Sequence, residues 1–166
     1  MAIAFPYFPI LLAVGAAAIF APASAASDDL LTGRTQIIDA GTLLVATTQI
    51  RLYGIDAPGA DQACNEHGRV WKCGKAAHAA LESYIGSKDV VCFIEATNTD
   101  KEIFASCFAE GKDVAAWLVS EGWAITNKKA SPRYSSTEAE AKSAKRGLWR
   151  SKFDNLGFSR SAGKTS

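Results

Sequence analysis

An arginine and an aspartate five residues apart, Arg51 and Asp56, are the side chains best placed for chemistry in this sequence. Apolar residues on both sides of Arg51 alternate with polar ones, a pattern typical of a strand with one face in a core and the other facing a site. A glycine and an Asp-Ala-Pro turn, residues 54–58, end that strand. Because a guanidinium binds phosphate and a carboxylate binds a hard cation, the pair indicates a site for a phosphate-containing ligand.

The surrounding pattern predicts five strands and three helices. Alternation and turn residues indicate the strands, while apolar residues three and four apart, a cap at Asp113 and a capping box over residues 135–138 indicate the helices. Strands and helices in this order predict an α+β domain built on an OB-type β-barrel. The predicted strands are residues 34–38, 42–46, 49–53, 89–95 and 103–109, and the predicted helices are residues 73–85, 114–121 and 135–146.

Residues 51–58 read Arg-Leu-Tyr-Gly-Ile-Asp-Ala-Pro, and this segment resembles the Arg-Leu-x-Gly-Ile-Asp-Ala-Pro-Glu motif of the thermonuclease-like (staphylococcal nuclease-like) domain family. The resemblance extends from about Gly33 to Phe153. It implies a five-stranded OB-fold barrel with about three helices over residues 34–153. Active members hydrolyse phosphodiester bonds of DNA and RNA with calcium. The resemblance therefore implies that Arg51 is a phosphate-binding residue and that Asp56 is a metal ligand.

Three other family positions differ in this chain. Gly41 stands where the Asp-Gly-Asp-Thr turn of the family supplies a second metal ligand, and Gly59 replaces the glutamate that acts as general base. Counting back from Cys107 places Glu102 where the family has its second phosphate-binding arginine. We therefore expect a catalytically degenerate domain that binds or scaffolds and needs no cofactor, with Ca²⁺ required only if the domain is active.

Two alternatives stay open at the site. The first is an active calcium-dependent nuclease with relocated residues, in which Asp61 or Glu66 supplies a carboxylate and Lys101 approaches the phosphate. The second concerns Arg51 alone. Its guanidinium can be retained for an ion pair with Asp56 or Glu102 and have no ligand of its own.

Residues 1–25 contain no charged side chain, run apolar from Ile10 to Phe20 and end in Ala23-Ser24-Ala25. This composition predicts a secretory signal peptide cut after Ala25. The segment has no lysine or arginine near its start, so a retained membrane anchor is the alternative. We expect an exported, periplasmic or secreted protein in which residues 26–33 form a loose segment.

The four cysteines are an even number in a chain predicted to be exported, which favours two disulfides. Three pairings are open in principle. Order in the chain favours Cys64 with Cys73 and Cys92 with Cys107. The first would pin the loop over residues 58–72, and the second would join two neighbouring strands.

Basic residues concentrate towards the C-terminus, although the net charge of the whole chain is only +1. From Lys128 onwards there are ten basic residues and three acidic ones. Such a region attracts phosphates or other anions, which makes nucleic acid or another anionic polymer a candidate partner, and an envelope-associated lipid or polysaccharide binder a further alternative. We expect a monomer, with residues 154–166 forming a disordered polar tail.

Overall fold

The computed structural model describes residues 29–150. The predicted signal peptide and the predicted tail therefore lie outside the described residues. The strands are β1 Leu30–Gly33, β2 Thr35–Asp39, β3 Thr42–Val45, β4 Thr48–Leu52, β5 Ile55–Asp56, β6 Cys64–Glu66, β7 Arg69–Trp71, β8 Val90–Thr97, β9 Ile103–Ala109, β10 Lys112–Asp113 and β11 Ile125–Thr126. The helices are α1 Cys73–Ile85, α2 Val114–Ser120 and α3 Ser135–Ser143, followed by a 3-10 helix Gly147–Arg150.

The main sheet has the strand order β1-β8-β9-β4-β3-β2, with β10 attached to β9. Strands β4 and β9 run parallel, and the other pairs are antiparallel. The predicted α+β, OB-like class is confirmed, but the sheet differs from the predicted five-stranded barrel, since it has seven strands and is open. Its two edge strands, β1 and β2, are separated in the chain by Arg34 alone.

Strand β1 corrects the prediction of a loose segment for Leu30–Gly33, while residues 26–28 lie outside the described residues. Leu30–Gly33 pairs with β8 from Leu30 opposite Phe93 to Gly33 opposite Val90. The chain then changes direction at Gly33, whose φ is 140° and whose Cβ, if present, would lie 3.2 Å from Cβ of Ala46. The segment is short and mostly exposed, so hydrophobic periodicity alone did not reveal its pairing.

The core lies between the main sheet and the first two helices. Leu43, Val45, Ile50 and Leu52 are buried on the inner face of the sheet. Helix α1 buries Ala77, Leu81 and Ile85, which recur every fourth residue and so share one face. Helix α2 adds Val114, Ala115, Leu118 and Val119 to the same cluster.

Helix α2 begins as predicted at Asp113, whose Oδ1 accepts a hydrogen bond of 3.0 Å from the backbone N–H of Ala116. The other carboxylate oxygen of Asp113 accepts a hydrogen bond of 2.8 Å from the hydroxyl of Tyr134. Burial and this hydrogen bond together raise the pKa of Tyr134. One aspartate therefore caps α2 and ties it to the residue that precedes α3.

The capping box predicted for α3 is wrong. The residue before the helix is Tyr134, and no side chain caps this end. Glu138 instead accepts a hydrogen bond of 2.8 Å from the backbone N–H of Thr126 in β11. The helix also ends at Ser143, before the predicted Arg146. Glu138 therefore makes a tertiary contact with β11 instead of capping its own helix.

Disulfides join Cys64 with Cys73 and Cys92 with Cys107, the pairs that chain order favoured. Cys92 and Cys107 lie directly opposite each other in the β8–β9 ladder. The other disulfide joins β6 to the start of α1. The loop that it bounds is more regular than predicted, because β6 and β7 form a hairpin whose turn has positive φ at His67 and Gly68.

Candidate functional site

Strand β4 presents Arg51 on the face opposite the core. Ile50 and Leu52 are 1% and 2% exposed, whereas the side chain of Arg51 is 28% exposed. Arg51 is flanked by Thr42 of β3 and Phe104 of β9 in the sheet register. The predicted division of this strand into a buried face and a site face therefore matches the structure.

Arg51 lines a cleft of about 390 Å³ at one end of the sheet. Its walls come from β4 and β5, from the hairpin end of β8 and β9, and from residues 127–130. Asp56 and Glu102 line the same cleft, together with the aromatic residues Tyr53 and Phe104. We call this feature the Arg51 cleft. It brings together three of the residues that the sequence singled out from separate segments.

Glu102 lies beside Arg51, with Oε1 of Glu102 3.8 Å from Nη1 of the arginine. Asn98 fixes this carboxylate from the start of the hairpin turn. Its Nδ2 donates a hydrogen bond of 2.7 Å to Oε2 of Glu102, and its Oδ1 accepts one of 2.9 Å from the Glu102 backbone N–H. The pairing of Arg51 with a carboxylate is thus realised through Glu102. A phosphate approaching Arg51 would meet a negative charge.

Asp56 is held by a residue that the sequence did not single out. Nδ2 of Asn127 donates a hydrogen bond of 3.3 Å to Oδ1 of Asp56. Oδ1 of Asn127 also accepts hydrogen bonds from the backbone N–H groups of Lys129 and Ala130. The backbone N–H of Asn127 donates a hydrogen bond to the carbonyl of Gly54. Asn127 therefore connects the loop that carries Lys129 to the floor of the cleft.

Gly41 lies close to the turn that follows Asp56. A Cβ at position 41 would be 3.3 Å from Cβ of Ala57. The backbone N–H of Gly41 donates a hydrogen bond of 2.8 Å to Oδ1 of Asp39, and its φ is not positive. The backbone conformation at position 41 does not require glycine, although a Cβ there would contact Ala57 tightly, and this chain places no carboxylate there.

Gly59 does not line the Arg51 cleft. Its backbone N–H donates a hydrogen bond of 3.3 Å to Oε1 of Gln62, and its carbonyl accepts one from the Gln62 N–H. The same carbonyl is packed against Gly74, where an added Cβ would be only 1.9 Å from it. Gly59 is therefore part of a packed turn and supplies no acid or base to the cleft.

None of the three candidates for relocated residues lines the Arg51 cleft. Glu66 pairs with Arg150 at 3.6 Å, and the guanidinium of Arg150 also lies 3.9 Å from the centre of the Trp71 ring. Asp61 lines a different cavity, of about 280 Å³. Lys101 is exposed at the tip of the hairpin with a φ of 60°.

The described residues do not fit a calcium site. Ca²⁺ takes six to eight oxygen ligands, usually with several carboxylates. Within residues 29–150, no group of three or more His, Cys, Asp or Glu residues is arranged to hold a metal ion. Asp56 brings one carboxylate, which Asn127 already engages.

A second polar network supports the cleft from the side. The hydroxyl of Tyr53 donates a hydrogen bond of 2.7 Å to the carbonyl of Ala130, and the guanidinium of Arg133 lies 5.6 Å from the centre of the Tyr53 ring. Arg133 also donates a hydrogen bond of 2.6 Å to Ser106 and pairs with Glu95 at 3.4 Å. These contacts hold the loop containing Lys129 against the sheet.

Several basic residues of the C-terminal region serve internal contacts. Arg133 and Arg150 form the ion pairs described above, and Arg146 donates a hydrogen bond of 2.9 Å to the carbonyl of Ser120. The ammonium of Lys142 lies 5.1 Å from the centre of the Trp149 ring. Part of the local basic excess is thus engaged within the domain.

Across the described part of the chain, no helix has both the length and the apolar character needed to span a bilayer.

Comparison with known proteins agrees with this architecture. Residues 49–151 match the family described as staphylococcal nuclease homologue. The chain is also 31% identical over 140 residues to the succinoglycan biosynthesis protein ExoI of Rhizobium meliloti (strain 1021), an alignment that covers 81% of this chain and 72% of that protein. Fold, cleft and comparisons together show that the chain belongs to the staphylococcal nuclease homologue family.

Proposed function

We propose that this protein is an exported, catalytically degenerate member of the family that acts as a binding or scaffolding module. The observation that carries the proposal is the Arg51–Glu102 pair. Phosphodiester hydrolysis needs cations on the phosphate as negative charge develops in the transition state. Here the arginine faces a carboxylate that Asn98 fixes in place.

The loss of other groups supports the same proposal. A general base contributes about 10²–10⁴-fold to the rate, and an oriented charge that stabilises the transition state about 10²–10³-fold. Gly59 offers no base, and neither Asp61 nor Glu66 lines the cleft. Because catalytic groups act as a unit, these losses need not multiply, but either alone makes efficient hydrolysis unfavourable.

Export is part of the proposal. Two disulfides in a domain of this size are typical of an oxidising compartment. The apolar segment of residues 1–25, with its small-residue cleavage site, supports a cleaved signal peptide. We place the mature protein in the periplasm or outside the cell, as a monomer.

The similarity to a protein named for succinoglycan biosynthesis favours one setting for such a module. By analogy, we propose that this chain also works beside the synthesis of a glycan, where a binding domain would contact the glycan or its synthetic machinery. An active nuclease with relocated residues is the competing function. The structure offers it less support, because its candidate residues lie outside the Arg51 cleft.

The test is hydrolysis of single-stranded DNA by the oxidised protein, expressed with its leader and purified after export. The reaction is followed with calcium and then with a chelator, beside an Arg51→Ala variant. We expect no calcium-dependent cleavage by either protein. Calcium-dependent cleavage by the wild type that is lost in the variant would overturn the proposal.

A further inference from the structure

We infer that the Arg51 cleft binds an uncharged oligosaccharide in place of a phosphodiester. The inference rests on the proposed function, because it names the ligand of a site that no longer catalyses hydrolysis. It begins from the size of the cleft. A volume of about 390 Å³ lies within the range of small-molecule sites, about 300–1,000 Å³.

The charges that line the cleft cancel. Arg51 and Lys129 are cationic, and Asp56 and Glu102 are anionic. A nucleic-acid site instead needs a surplus of positive charge along the phosphate backbone. Since Glu102 already lies 3.8 Å from Arg51, a phosphate gains no net attraction there. The electrostatics favour a ligand without charge.

The polar groups of the cleft suit hydroxyl groups. A hydroxyl donates one hydrogen bond and accepts others, so its best partners are carboxylates and amides that offer both functions at close range. The cleft offers the carboxylates of Asp56 and Glu102, each adjoining an asparagine amide, Asn127 or Asn98. Arg51 adds hydrogen-bond donors to the same cleft.

The apolar groups of the cleft suit the carbon face of a sugar ring. Tyr53 and Phe104 line the same cavity, and Tyr53 is held by its hydroxyl and by Arg133. A small number of placed polar groups beside aromatic surface is typical of small-molecule sites. OB folds bind oligosaccharides as well as oligonucleotides, so the fold accommodates either class of ligand.

The experiment records amide chemical shifts of the exported, oxidised protein by NMR during titration with cellohexaose, laminarihexaose or a galactose hexamer, beside an eight-nucleotide oligothymidylate. We expect at least one hexasaccharide to shift the amides of Tyr53, Asn98 and Asn127. Its affinity should change little between low and high salt, because no phosphate contacts are made. Shifts in the cleft caused by oligothymidylate alone, with a steep salt dependence, would overturn the inference. So would the absence of cleft shifts with all three sugars.

Two variants test whether the sugar binds in the Arg51 cleft or elsewhere on the surface. Glu102→Gln keeps the shape of the side chain and removes its charge. We expect this variant to bind the sugar with an affinity lower by between about 5- and 100-fold. Asp100→Asn is the matched control, since the same change falls on an exposed carboxylate in the same turn that does not line the cleft. Equal weakening by both variants would contradict a ligand in the cleft.

The inference and the proposed function fail in different ways. DNA hydrolysis is measured on the same samples. Calcium-dependent cleavage would refute the proposed function, whether or not the protein binds the sugars. If the protein neither cleaves DNA nor binds the sugars, only the oligosaccharide inference is refuted, and the proposed loss of catalysis still holds.

Discussion

Strands β8 and β9 show two different constraints along a single hairpin. At one end, Cys92 and Cys107 are fully buried and joined by a disulfide. At the other end, Asn98 and Glu102 line an open cleft. Packing restricts the buried end, because a change in volume there leaves a cavity or a clash. Packing restricts the cleft end less, because Asn98 and Glu102 are only partly buried, so a charged side chain at position 102 is compatible with the fold.

Neighbouring residues on β4 offer the sharpest test of this contrast. Ile50 is 1% exposed and packs in the core, while Arg51 faces the cleft. We expect Ile50→Ala to lower the free energy of unfolding by about 2–5 kcal/mol through a cavity. Arg51→Ala should change it by less than about 1 kcal/mol, because the pair with Glu102 is partly exposed. Urea unfolding monitored by circular dichroism measures both, and equal losses would refute the contrast.

The two disulfides should also differ in how much they stabilise the fold. Removing the Cys92–Cys107 bridge by alanine substitution of both residues should cost about 3 kcal/mol of unfolding free energy, from a closed loop of about 15 residues. The other bridge closes a shorter loop, and its removal should cost about 2.5 kcal/mol. Both residues of the Cys92–Cys107 pair are fully buried, whereas in the other pair only Cys73 is, so the added cavity term should be larger for Cys92–Cys107. Thermal unfolding of the two double variants tests this order, and a larger loss for the Cys64–Cys73 pair would contradict it.

Tyr134 should make stability depend on pH in the alkaline range. Burial and the hydrogen bond to Asp113 raise its pKa above the ordinary tyrosine value of 10.0. The protonated phenol therefore stabilises the fold fully below pH 10, and this contribution is lost as the pH rises beyond that value. Tyr134→Phe should cost about 1.5 kcal/mol at pH 7 and should reduce the alkaline loss.

Urea unfolding of wild type and Tyr134→Phe at pH values from neutral to about 11 checks this sign, in a range that extends past the usual tyrosine pKa. Tyr84 has a raised pKa as well, so some alkaline loss should persist in the variant. An unchanged pH profile in Tyr134→Phe would show that the hydrogen bond to Asp113 does not carry the effect.

The smallest effect is expected at the cleft itself. Glu102→Gln removes an ion pair at 3.8 Å between partly exposed side chains, and surface pairs of this kind contribute about 0–1 kcal/mol. Unfolding of this variant should therefore be close to that of wild type and of the Asp100→Asn control. A loss of several kcal/mol would show that Glu102 is a structural residue.

Much of the scaffold could be predicted from sequence because its signals are local. Helix α1 and strand β9 have the predicted bounds, Cys73–Ile85 and Ile103–Ala109. The errors fall where tertiary contacts decide. Strand β1 exists only through pairing with β8, and Glu138 bonds to β11 instead of capping its own helix.

The site residues show the same difference between local signals and tertiary contacts. The resemblance of short motifs placed Arg51, Asp56 and Glu102, and the structure brings all three to one cleft. Asn127 had no signal, because its contact with Asp56 spans 71 residues of sequence and depends on the pairing of β11 with β5. Asn98 carried no signal of its own in the sequence. Its role follows from the side-chain geometry that fixes Glu102.

We propose that hydrolysis is lost because Gly41, Gly59 and Glu102 stand where active members of the family have catalytic side chains. The most direct test of this proposal compares calcium-dependent cleavage of single-stranded DNA by the wild type and by a variant that combines Gly41→Asp, Gly59→Glu and Glu102→Arg. A rise in the melting temperature of the variant with calcium would show that the new carboxylates bind the metal. We predict no calcium-dependent cleavage by the wild type and a rate at least about 10²-fold higher in the variant. Equal calcium-dependent cleavage by both proteins would contradict the account.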